Sequence, residues 1–105
     1  MSKARDALLM WLVHEHGFQL EVPFKGLSGK RRFRFDAALP DGGVAVDYHG
    51  WGAGAGHMYR EKQAGDHEKS NEAQLLGWRY IVCDALSVES GRCMEYVDKA
   101  LGVKP

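Results

Sequence analysis

Two short runs of alternating character, Arg32 to Ala38 and Val44 to His49, flank Pro40-Asp41-Gly42-Gly43, and this pattern limits the folds open to the chain more than any other. Asp-Gly between such runs is a hairpin signal, because a tight turn needs backbone angles that these two residues adopt at little cost. Strand side chains alternate between faces. Arg34 and Asp36 therefore share a face of the first strand, and Asp47 and His49 share a face of the second. With the turn centred between Asp41 and Gly42, Asp36 falls directly opposite Asp47. Like charges opposed across a ladder destabilise it unless something positive lies between them. The pairing predicts a metal site; its plain counterpart is two acids on a solvated strand face.

The remaining segments supply layers for this hairpin. Ser2 can cap a helix from about Lys3 to His16, in which Ala4, Ala7, Leu8, Trp11 and Leu12 form an apolar stripe that Gly17 ends. Phe18, Leu20 and Val22 alternate with Gln19 and Glu21 as a strand that Pro23 closes, and Lys25 to Lys30 forms a turn. Gly50 to Gly56 has too little side chain to pack and reads as a mobile loop. Met58 to Leu76 follows, with its best helical stretch from Asp66 to Leu76 and Gly77 as the stop. Trp78 to Cys83 is a buried strand, and Ser87 can cap a final helix striped by Cys93, Met94, Val97, Ala100 and Leu101. The order is α-β-β-β-α-β-α. A helix between the third and fourth strands lets those two run parallel while the first three form a meander. The expected fold is a mixed four-stranded sheet in an α/β or α+β sandwich.

The 105 residues suit one domain, spanning 1–105. Basic and acidic residues balance at 14 each, so no overall charge announces a polyanionic partner. Local distribution does. Lys25, Lys30, Arg31, Arg32 and Arg34 cluster just before Asp36, where a phosphate backbone can be attracted; a solvated basic loop is the bland equivalent. Cys83 and Cys93 lack CxxC spacing and no secretory leader is visible, which favours two reduced thiols in a cytoplasmic protein. No run has the apolar length to cross a bilayer, so no membrane partner is expected.

At this point the chain resembles a known group. A carboxylate on the second strand, followed on the third by an acid and then a polar residue two positions on, is similar to the nuclease superfamily named for its PD-(D/E)XK motif. The nearest likeness is to very-short-patch repair endonucleases and their small phage and mobile-element relatives. Three blocks carry it: Arg34 to Asp36 (RFD), His49-Gly50 followed by His57, and Asp66 to Leu86 (DHEKSNEAQLLGWRYIVCDAL), the most specific of the three. The resemblance covers nearly the whole chain. It implies a restriction-endonuclease-like sandwich and a Mg²⁺- or Mn²⁺-dependent DNA endonuclease of repair, recombination or phage replication. Asp36 would be the metal-binding carboxylate, Tyr48 would offer its backbone carbonyl, and His49 would handle the attacking water. His57 would match a second active-site histidine, while Asp66 and Lys69 would line the site from the helix. A further acid is implied, for which Glu21 is favoured over Asp6 and Glu15. Two features depart from the pattern: His49 stands where Lys or Glu is usual, and Asp47 is shorter than the usual Glu. The Cys/His zinc ligands of the mismatch-repair members are absent, and their mismatch specificity is not carried over.

The residue types suit phosphodiester hydrolysis. Asp36, Asp47 and the Tyr48 carbonyl are hard oxygen donors of the kind Mg²⁺ takes alongside water and substrate phosphate. An imidazole titrating near neutrality at His49 can accept the water's proton, and Lys69 can neutralise charge building on the phosphate. Lys30, Arg31, Arg32 and Arg34 can hold the DNA backbone. Trp51 either stacks on a base or covers the core. A Zn²⁺ set of Asp47, His49 and His57 is the less favoured metal reading. Three functional alternatives stay open: a nuclease, a nuclease-fold DNA-binding module without cleavage, and an inhibitor or assembly factor that reuses the fold. Cutting both strands calls for two sites, which makes a homodimer plausible.

Overall fold

In the computed structural model the described residues are 2–50 and 56–102, with 56–63 described by their backbone alone. The elements in chain order are α1 (Lys3–His16), β1 (Gln19–Lys25), β2 (Arg32–Leu39), a 3-10 turn (Pro40–Gly42), β3 (Val44–Tyr48), α2 (Gly56–Leu75), β4 (Arg79–Cys83), α3 (Ala85–Glu89) and α4 (Arg92–Leu101). They form an α+β sandwich around one four-stranded sheet in the order β1-β2-β3-β4. The first three strands are antiparallel and β4 runs parallel to β3, as the helix between them permits.

Each sheet face has its own core. On one side Leu8 and Leu12 of α1 meet Ala37, Val44, Val46 and Cys83 of the sheet and Val88, Cys93 and Val97 of the last two helices. On the other, Phe24, Phe35, Ala38 and Ala45 pack under Ala73 of α2, with Trp78 and Tyr80 against them. Stacked rings fill that second layer, Phe24 lying 4.3 Å from Phe35 between centroids.

Phe35 and Ala37 are two residues apart yet belong to opposite layers, so the pleat of β2 reverses at Asp36. The neighbouring strand reverses with it. Val22 pairs with Phe35 and Leu20 with Ala37, and between them Glu21 takes a left-handed backbone at φ 55°. A non-glycine residue there costs about 1 kcal/mol, which the flanking ladder must hold in place. The β2–β3 ladder, registered through Leu39↔Val44, Ala38↔Ala45 and Ala37↔Val46, stops just before Asp36.

Several expectations are corrected. β1 runs on through Pro23 to Lys25, because it is an edge strand whose outer side needs no backbone donor. The last helix is two. Asp84, not Ser87, caps α3, with Ser87 completing the capping box from the third helical position, and Gly91 at φ 81° starts α4 afresh. Cys83 and Cys93 are not separate thiols but a disulfide, their Cα atoms 5.9 Å apart. The end of β4 and the start of α4 face the same core, which the ten-residue spacing does not reveal. No helix among the described residues is long and apolar enough to cross a membrane.

Candidate active site

Where the β2–β3 ladder ends, two carboxylates take over from backbone carbonyls. The Asp36 N–H donates to Asp47 Oδ1 at 2.8 Å, and the Tyr48 N–H donates to Asp36 Oδ2 at 2.8 Å. The sequence-derived register is thus correct, and the two acids meet. Charge-assisted bonds of this kind are stronger than the neutral ladder bonds they replace.

One of the two acids, Asp47, is balanced by an ammonium. Lys69 of α2 reaches across the sheet to donate to Asp47 Oδ2 and to the Arg34 carbonyl, with its Nζ 5.5 Å from the Phe35 ring centre. Asp47 is the one buried charged residue among those described, at 3% exposure. It therefore needs every donor it can find. Tyr80 on β4 supplies another, its hydroxyl donating to Asp47 Oδ2. Burial first, and Asp47 second, push the Tyr80 phenol far above the ordinary tyrosine range, so it remains a neutral donor at working pH. On the other side Arg5 of α1 lies 3.7 Å from Asp36 Oδ1, and the hydroxyls of Ser2 and Tyr48 are joined at 3.0 Å. The start of α1 is thereby tied to the end of β3.

His49 leaves the end of β3 with its N–H donated to the Cys83 carbonyl at 2.8 Å. Its Nδ1 is 4.0 Å from Asp66 Oδ2 of α2. That carboxylate oxygen is buried and accepts no hydrogen bond among the described residues. Asp36, Asp47, Asp66, His49, Lys69 and Tyr80 consequently surround one end of the sheet. Tyr80 and Arg5 are absent from the sequence reading. Within Trp78 to Cys83 a tyrosine is indistinguishable from core, and an arginine on an exposed helix turn carries no signal of its own.

The oxygens fit a hard divalent ion. Among the described residues no three or more His, Cys, Asp or Glu side chains form a shared metal cage. Mg²⁺ does not require one, since it binds one or two carboxylates and keeps several waters. Asp36 Oδ1, with only a 3.7 Å ion pair to Arg5, and Asp47 Oδ1, with one donor, retain acceptor capacity on neighbouring strands. The Tyr48 backbone is turned toward Asp36 by the bond its N–H makes.

Other expected site residues fall elsewhere. Glu21 is half exposed and lies 3.7 Å from Arg34, so its carboxylate turns along the outer strand rather than into the acid pair. Asp6 and Glu15 are exposed on α1, away from it. Lys30, Arg31, Arg32 and Arg34 are all exposed on the turn and strand leading to Asp36, with Arg31 3.5 Å from Glu68 and 5.1 Å from the Phe33 ring centre. Trp51 and the His57 side chain lie outside the described residues. His14 and His67 are exposed, whereas His16 joins Asp98 of α4 at 3.1 Å, a helix-to-helix contact. Compared with family models, curated proteins and solved structures, the chain matches none.

Proposed function

We propose that the protein is a metal-dependent DNA endonuclease that hydrolyses phosphodiester bonds in structured duplex DNA, in the manner of the PD-(D/E)XK nucleases it resembles. The observation that carries this reading is the meeting of Asp36 and Asp47 under the Lys69 ammonium, at the sheet end reached from a run of exposed arginines. Asp36, Asp47 and the Tyr48 carbonyl would hold Mg²⁺ or Mn²⁺, which when bound supplies Lewis acidity and lowers the pKa of water. The protein supplies the rest. Lys69 offsets charge gathering on the non-bridging phosphate oxygens, and Lys30, Arg31, Arg32 and Arg34 fix the DNA backbone over the site. His49, with Nδ1 4.0 Å from Asp66 Oδ2, would accept the attacking water's proton.

A second reading has one specific support: Lys69, Tyr80 and the Asp36 N–H already engage both oxygens of Asp47, as a DNA-binding module without cleavage would allow. Incubating the protein with plasmid, junction and flap DNA in Mg²⁺ or Mn²⁺ separates the two. Nicking supports the nuclease, while DNA binding without any nicking supports the module.

Two further results are expected. His49→Ala lowers turnover by about 10²-fold or more and leaves Mn²⁺ affinity unchanged, because it removes a proton acceptor and no oxygen ligand. Undiminished turnover would move the proton role to Lys69 or His57. Replacing Arg31 and Arg32 together by Ala weakens DNA binding and reduces the slope of log K against log salt by about 2, one unit for each lost phosphate contact. An unaltered slope in a filter-binding titration would remove both from the interface.

A further inference from the structure

The flank of α1 beside edge strand β1 is apolar at its centre. A groove of about 450 Å³ runs along it, lined by Asp6, Leu9, Met10, Val13, His14 and Leu20. Met10 is 61% exposed and Leu20, on edge strand β1, is 49% exposed. The inner stripe of the same helix, Leu8 and Leu12, is consumed by the core and Leu9 packs partly against it, which leaves Met10 and Leu20 as the groove's exposed apolar groups. Exposed apolar groups on both walls give a partner something to cover.

The order of residues along the groove indicates what covers it. Asp6 and His14 each lie four residues from Met10, on either side, close to one helical turn or about 6 Å. The stripe is therefore symmetric in position about Met10 and opposite in character at its two ends, a carboxylate at one and an imidazole at the other. A surface of this kind is its own complement. When a second α1 is laid on the first in antiparallel sense about a two-fold axis at Met10, each Asp6 meets the other copy's His14. Leu9, Val13 and Leu20 close around the two methionines. Isologous contacts of two-fold dimers have this self-complementary arrangement, and an unrelated partner would not call for the symmetry.

We propose that this groove is the interface of a homodimer, formed by antiparallel packing of α1 on α1 about Met10, with Asp6 and His14 pairing in both directions. The contact is distinct from the acid pair, although Arg5 on the same helix lies 3.7 Å from Asp36, so dimerisation would fix two sites relative to one another. The interface does not depend on the nuclease reading and is tested without DNA or metal.

Sedimentation equilibrium of the full chain over the micromolar range is expected to show a dimer. Met10→Glu sets two carboxylates against each other on the axis and is expected to weaken dimerisation at least ~30-fold, the effect of losing a central anchor. Its circular dichroism is expected to be unchanged, since the position is exposed. Asp6→His combined with His14→Asp restores the pairing and is expected to dimerise as the wild type does, whereas Asp6→His alone does not. Met10→Cys, lying beside its own copy, is expected to cross-link into a covalent dimer under mild oxidation. A wild type that stays monomeric throughout, or a dimer untouched by Met10→Glu and not cross-linked through Met10→Cys, would overturn the proposal.

Discussion

Asp36→Ala is expected to reduce metal-dependent nicking by about 10³-fold or more, the effect of withdrawing roughly 4 kcal/mol of transition-state stabilisation along with a metal ligand. The alanine also deprives the Tyr48 N–H of its acceptor, so by itself it mixes chemistry with folding. Asp36→Asn separates them. Its amide oxygen can still accept from Tyr48 while the charge that attracts the cation, and Arg5, is gone. The asparagine variant is expected to melt near the wild-type temperature, bind DNA at least as well, and fail to nick. Supercoiled-plasmid nicking measured beside Mn²⁺ titration checks this. Nicking at equal rates in wild type and both variants would assign the activity to a contaminant.

Lys69→Met should have the second-largest effect, and it should appear in stability as well as in turnover. Methionine keeps most of the stem that covers Phe35 but leaves Asp47, 5% exposed at its side chain, without its ammonium. Removing one member of a buried pair costs about 3 kcal/mol, and the Tyr80 and Asp36 donors that remain make about 2 kcal/mol the reasonable lower bound. For a domain of this size that lowers the melting temperature by about 10 °C. Combining Lys69→Met with Asp47→Asn removes the stranded charge and is expected to recover part of the lost stability while cleavage stays absent. A calorimetric scan showing no loss for Lys69→Met would mean that Asp47 is held by Tyr80 and the backbone alone.

The hairpin register was legible in the sequence because it depends on short-range matters: two alternating runs, a turn of known preference, and a parity that a one-residue slip would invert. The layer order followed for the same reason. What stands opposite the two acids was legible only in part. Lys69 entered through the family resemblance and not through any local pattern, Tyr80 looks like any aromatic in an apolar run, and Arg5 lies on the first turn of α1. Each reaches the site only through packing of whole elements, which no local pattern encodes. Pro23 does not end β1, because a proline breaks a strand only where both sides are paired. The helical stripe from Cys93 onward hides the break at Gly91, whose left-handed backbone separates α3 from α4.

The reversal of the pleat at Asp36 couples fastening to chemistry. Past Ala37 and Val46 the two strands are laced together by carboxylate oxygens, so the open end of the hairpin is buttoned by the very groups that a cation and a phosphate would engage. Inserting or deleting one residue in either strand would undo both at once. A descendant in which the two acids had no other task would still need them to keep its hairpin closed, and selection for a firm fold would by itself preserve the pair.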